Sequence, residues 1–406
     1  MMVSSCARLS DVATRAALPA ALARLLPLLP LLIAGCDLSS DRPECRFGAV
    51  HTLASSGHRV FDGLAVTPTD GGAVALWSDT SGLYGRRVDR KGRGVGAVAR
   101  IGGRCPGGLA ARASGKSIAI ACLRPGVSTA PGDTGEGGAV GAVALRTIDA
   151  RLSVTGAIHF GSAGPLSRGV SLVHVDGGLR AVWLDAAAEH NRVWFAQVDA
   201  EGNAGPPRIV SDRSREAGIP DVVAHAGKPV VVFREAFMQD GKPAAQLVLW
   251  SPGAGRTMLA RLSHEHPSPR LAVLDDDLYV VYRDRRRREE RIGLYVARIR
   301  SARIVAPGPL RVARADGDAT PALSPCFGGL VTSTPRTFAG DYFVGVSWLG
   351  PGPTAPTLEQ QFYEDAHEFT DTAAACVGEE ALLLIGERGR LAQKETTLRS
   401  ATFSCR

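Results

Sequence analysis

The chain has 406 residues, 45% hydrophobic and 21% charged, with 47 Lys+Arg against 40 Asp+Glu and a net charge of +7. One hydrophobic core stops growing near roughly 250–300 residues, so a single compact core is excluded. The hydrophobic content excludes a disordered chain, and so mild a basic excess excludes a nucleic-acid-binding signature. The 47 glycines and 25 prolines leave little room for long helices and point to many short strands.

Residues 1–35 read as an export signal. Arg8, Arg15 and Arg24 supply positive charge ahead of the apolar run Leu25–Gly35. A membrane span needs about 20 apolar residues. This run is shorter and is broken by Pro27 and Pro30. It ends in Leu32-Ile33-Ala34-Gly35-Cys36, which resembles the lipobox of bacterial lipoproteins. The resemblance implies that the signal is cut before Cys36, and that acyl chains, palmitate among them, are attached to its thiol and new N-terminus. Several such chains hold a protein stably on a membrane. Residues 36–44 then form a tether and residues 45–406 the folded domain. The expected address is the bacterial cell envelope, membrane-anchored and facing the periplasm or the exterior.

Next along the chain comes a repeat. An apolar strand ending in aromatic-x-acid recurs at Trp77-Ser-Asp79, Trp183-Leu-Asp185, Phe233-Arg-Glu235 and Tyr282-Arg-Asp284, with a weaker copy at Ile385-Gly-Glu387. The spacings are 106, 50, 49 and 103 residues, so the period is near 50 with one degenerate copy in each doubled gap. Val88-Asp-Arg-Lys-Gly92 and Val198-Asp-Ala-Glu-Gly202 repeat 110 residues apart, about two periods. Each period holds four short alternating strands, here A to D, bounded by Gly and Asp turns. Strand A is expected to begin near residues 62, 107, 168, 219, 269, 320 and 372. Seven four-stranded units predict an all-β fold, a seven-bladed β-propeller. Six or eight blades, or two β-sandwich domains, are the alternatives. The domain resembles bacterial propeller lipoproteins of unassigned function.

The last unit lacks strand D, and the segment Arg46–Ala54 precedes the first strand A. That segment shares Gly-Ala-Val with the first strand D, Gly94–Ile101. The N-terminal strand is therefore expected to complete blade seven and close the ring, which removes two exposed edges. Six cysteines remain outside the signal and Cys36, an even number that favours disulfides in an exported chain. Closure brings Cys45 to Cys405. Cys105 and Cys122 flank one A–B hairpin. Cys326 and Cys376 remain, near the ends of strand A in adjacent blades, and their separation stays open.

Little in the sequence carries chemistry. A residue pair repeated in most blades is a packing and turn device: the aromatic fills the space between blades, and the acid takes turn N–H groups or pairs with an arginine such as Arg86 or Arg87. His264-Glu-His266 has a metal-like spacing but no third ligand nearby. Asp275-Asp276-Asp277 lies in an A–B turn and is too short for a calcium loop. Arg283–Arg291 is a mixed-charge B–C loop, a solvated segment or a contact for acidic glycans or lipid head groups. No cofactor and no metal is expected. Sialidase-type propellers carry Ser-x-Asp-x-Gly-x-x-Trp boxes, of which Ser78–Gly82 is a broken echo.

The chain therefore reads as a binding or scaffolding module rather than an enzyme: a monomeric propeller, held to the membrane by its lipid, with a protein or glycan partner and no nucleic acid. The alternative is a secreted glycoside-active enzyme, sialidase-like or glycosidase-like. In a meander blade the D–A and B–C connections share one face. The B–C loops are read as long, Ala236–Pro243 and Pro335–Gly340 among them, so the site is expected on that face. Arg168 and Arg270, early in inner strands, are the expected contacts at the channel mouth. His264, His266, Arg285 and Arg286 are further candidates on the rim.

Overall fold

A computed structural model of the chain describes residues 44–56, 61–124, 141–164, 167–186, 190–263, 268–285, 292–305, 308–314, 320–338, 341–350, 357–363, 367–389 and 395–405. Residues 1–43, with Cys36, lie outside them, as do His264, His266 and Arg286.

Seven antiparallel sheets form a ring, and no helix occurs among the described residues. In each blade the inner strand A pairs only with B, so its second edge faces the central channel. The inner strands are Gly63–Thr69, Leu109–Ser114, Arg168–Val175, Asp221–His225, Arg270–Leu274, Ala322–Cys326 and His367–Val377. Each touches the next, and the seventh touches the first. The starts agree with the sequence reading except in blade seven. There strand A begins at His367 rather than near Thr372, because a bulge between Phe369 and Asp371 lets pairing with strand B continue. Two strands are split by proline, which has no N–H to give the ladder. Pro220 separates Glu216–Ala217 from Asp221–His225 in blade four, and Pro309 precedes the second half of strand D in blade five, Leu310–Arg314.

The core is not one body but seven. Alternation along a strand sends successive side chains to opposite faces. In strand B of blade one, Ala73, Ala75 and Trp77 pack against blade seven, whereas Val74 and Leu76 pack against blade two. Trp183 faces blade two, Phe233 blade three, Tyr282 blade four and Ile385 blade six. The recurring aromatic thus always fills the interface with the preceding blade. Seven such interfaces let a long chain bury its apolar surface without one oversized core.

The N-terminal strand Cys45–Ser56 pairs with the final strand Thr396–Cys405 and closes the ring. Cys45 stands opposite Cys405 and is bonded to it. Cys105–Cys122 joins the A–B hairpin of blade two, and Cys326–Cys376 ties blade six to blade seven with Cα atoms 5.3 Å apart.

Candidate functional site

The starts of the inner strands surround a cavity of about 350 Å³ at one end of the channel. Six charged residues line it: Asp62, Arg112, Arg168, Asp221, Arg270 and Asp371. Blade six contributes only uncharged residues, Thr320 among them. Each charge comes from a different inner strand or the residue just before one, because a propeller brings the same end of every strand A to the same mouth of the channel.

The three acids are already engaged. Asp62 holds the Arg104 guanidinium with two bonds of 2.5 and 2.8 Å, and that bond raises the arginine's pKa. Asp221 is buried; it accepts the Ser171 hydroxyl at 2.6 Å and the Leu271 N–H at 2.8 Å. Asp371 accepts the Thr372 N–H at 2.8 Å and the Leu64 N–H. Loss of hydration pushes its carboxyl up to about 6, although those two N–H groups and the nearby Arg270 charge pull the other way.

The arginines are engaged less fully. The Arg112 Nε donates to the Leu172 carbonyl at 2.9 Å, which leaves its other N–H groups open. Arg270 makes one long bond, 3.5 Å, to the Pro220 carbonyl. Arg168 is exposed, and its side chain has no hydrogen-bond or ionic partner among the described residues. Beyond Arg112 lies a second cavity of about 310 Å³, toward the A–B turns, walled by Val66, Val173, Val223 and Leu323. Arg112 borders both cavities.

The sequence reading named Arg168 and Arg270, and the fold brings both to this cavity. Asp62, Arg112, Asp221 and Asp371 were missed. A lone arginine in the small-residue strand Leu109-Ala-Ala-Arg-Ala-Ser was the available signal for Arg112. Arg285 is exposed at the end of strand B in blade five, where its N–H is taken by Asp284 at 2.9 Å.

The repeated acids are turn and seam devices. Asp79 accepts the N–H groups of Ser81 at 2.7 Å and Gly82 at 3.1 Å; Asp185 accepts the Gly164 N–H at 2.6 Å. Glu235 is fully buried under Arg256 at 2.6 Å, with Gln246 and the Asp212 N–H. Arg86 is not the partner of Asp79; its guanidinium goes to the carbonyls of Leu53 and Gly96. The loops need correction too. Strand B continues to Gln239 in blade four and to Phe338 in blade six, so Ala236–Pro243 and Pro335–Gly340 are mostly paired hairpin rather than open loop. Among the described residues no group of three or more His, Cys, Asp or Glu is placed to hold a metal.

No family model matches the chain, and no curated protein matches it in sequence. Among solved structures it is similar to the Trypanosoma rangeli sialidase in complex with the inhibitor DANA, at 10% identity and a TM-score of 0.46 over 87% of this chain and 60% of that one. A subtype N10 neuraminidase-like protein of A/little yellow-shouldered bat/Guatemala matches at 7% identity and a TM-score of 0.42, over 89% of this chain and 100% of that one. The Kuenenia stuttgartiensis hydrazine synthase matches at 18% identity and a TM-score of 0.36, over 54% and 64%. The chain spans about six tenths of the length of the trypanosome enzyme. At these TM-scores the likenesses carry no argument about a site or an activity.

Proposed function

We propose that the protein is a lipid-anchored lipoprotein of the bacterial envelope whose propeller is a binding or scaffolding module for a protein or glycan, working through the D–A and B–C face. The observation that carries this reading is the exposed guanidinium of Arg168, which lines the same channel-mouth cavity as Arg270 on that face. Three disulfides suit an oxidising compartment outside the cytoplasm. The glycoside-active alternative requires free carboxylates, or an acid with a tyrosine, converging in one pocket. Among the residues lining this cavity the carboxylates are engaged and no tyrosine is present. The binding reading therefore has the better support.

Two experiments test it. Cys36→Ala should leave the precursor unprocessed and without incorporated acyl label; lipid labelling equal to the native protein would reject the anchor. Capture of partners from solubilised envelope should fall several-fold when Arg213 and Arg285, exposed on the proposed face, are reversed to Glu. Reversal of Lys116 and Lys228, on the A–B turns, should leave it unchanged. Equal loss from both faces, or from neither, would reject the one-face reading.

A further inference from the structure

We infer that the channel cavity is itself a binding site for a small oxyanion-bearing molecule, a carboxylate or phosphate compound of about monosaccharide size. This inference rests on the same face being the binding face and adds the chemistry of what enters it.

A guanidinium offers five N–H donors. Among the described residues Arg168 spends none, Arg112 spends its Nε, and Arg270 makes one long bond to a carbonyl. The facing acids, each with about four acceptor sites of which two are taken, offer fewer sites than that. Asp62 is occupied by Arg104 in a two-pronged pair, and Asp221 is buried under a hydroxyl and an amide. Asp371 already takes two main-chain N–H groups. Unspent donors thus exceed unspent acceptors, and two or three guanidinium groups from different blades face one space. Planar donor forks of this kind match carboxylate and phosphate oxygens.

Size limits the ligand. A cavity of about 350 Å³ lies at the lower end of small-molecule sites. The ring of strand edges excludes a nucleic acid or a folded partner from the cavity itself. Arg112 forms its floor, and among the described residues the only other polar side chain on the wall beyond is Ser324.

The test is a thermal-shift titration of the full-length protein in detergent at constant ionic strength. The probes are inorganic phosphate, glucuronate and glucose 6-phosphate, with glucose as the neutral control. Near saturation, at least one of the three anions should raise the melting temperature by about 2–4 °C, and glucose should not. The response to glucuronate against that to glucose 6-phosphate separates a carboxylate site from a phosphate site. In Arg168→Gln/Arg270→Gln the midpoint concentration should rise at least about tenfold while the ligand-free melting temperature stays within about 2 °C, since Arg168 has no side-chain partner among the described residues and Arg270 gives up one long bond to a carbonyl and its charge beside Asp371. Arg168→Gln alone, which removes no contact, should weaken the response by a smaller factor. No shift with any anion, an equal shift with glucose, or an unchanged midpoint in the double variant would overturn the inference. A flat titration, in a protein whose Arg213 and Arg285 reversals still lower capture several-fold, overturns the small ligand and leaves the binding face standing. Loss of that face effect with the titration intact does the reverse.

Discussion

Asp371 shows what the channel does to a single side chain. Its carboxyl titrates at about 6 instead of 3.8 because burial strips water from the charged form. A raised carboxyl pKa works against the fold once the group ionises. Below pH 3.8 both states hold the proton and there is no cost. Between 3.8 and 6 the unfolded chain ionises first and stability falls; above 6 the cost is complete. Asp371→Asn keeps an oxygen for the Thr372 N–H and removes the charge. The variant should therefore be more stable than the native protein at pH 7–8, on the order of 1–2 kcal/mol after allowance for the open cavity beside it. The gain should disappear below about pH 4. Thermal melts from pH 4 to 8 check this, and a gain that grows toward acid would contradict the sign. No sequence feature marked Asp371, because its environment is made by Leu64 and Arg270, which lie 307 and 101 positions away in the chain.

At the scale of strands, the inner edges pose the problem. Strand A has one paired edge, and the N–H groups of its other edge face the next blade or the channel. Short polar side chains from the preceding blade answer them. The Thr67 hydroxyl accepts the Ala113 N–H at 3.0 Å, the Ser171 hydroxyl accepts the Val222 N–H at 3.4 Å, and Asp221 accepts the Leu271 N–H at 2.8 Å. Ser171 and Asp221 also bond each other, so blades three, four and five are laced in series. Asp221→Ala would leave a buried amide and a buried hydroxyl without acceptors. The expected loss is about 2–3 kcal/mol, read from the urea midpoint, with a smaller loss for Asp221→Asn. Hydrogen exchange at Leu271 should accelerate in the alanine variant; unchanged protection there would show that the latch is not what holds the edge. The strands themselves were legible from alternation and turn residues. The latches were not, since they depend on how far one blade is shifted along the next.

For the whole molecule the decisive element is the seam. Blade seven is assembled from both ends of the chain, and Leu53 on the N-terminal strand packs in the same interface as Trp77 and Leu384. The Cys45–Cys405 bond spans a sequence separation of 360. On a chain-entropy account, a loop that long yields about 6 kcal/mol. The Cys45→Ser/Cys405→Ser variant should therefore melt well below the native protein. Residues 45–56 should become the first segment cut by protease, because the strand then holds by pairing alone. A melting curve and cleavage pattern identical to the native protein would mean that strand pairing is sufficient to close the ring.

The sequence by itself determined the class of fold, the period near 50 residues, the strand that closes the ring and the part each recurring aromatic plays. These are local matters: alternation, turn residues and the end of the last repeat can be read within one unit and compared with the next. It also implied a lipid anchor at Cys36, on a segment outside the described residues. Only the tertiary structure decided which charges share the channel and which of them remain unspent. Arg112, Arg168, Asp221, Arg270 and Asp371 come from five different blades, and sequence distance says nothing of their meeting. Their free or engaged state turns on hydrogen bonds between neighbouring blades, such as that of Asp221 to Leu271. Those bonds are set by the offset of one sheet against the next, a quantity fixed by packing of the whole ring rather than by any single strand.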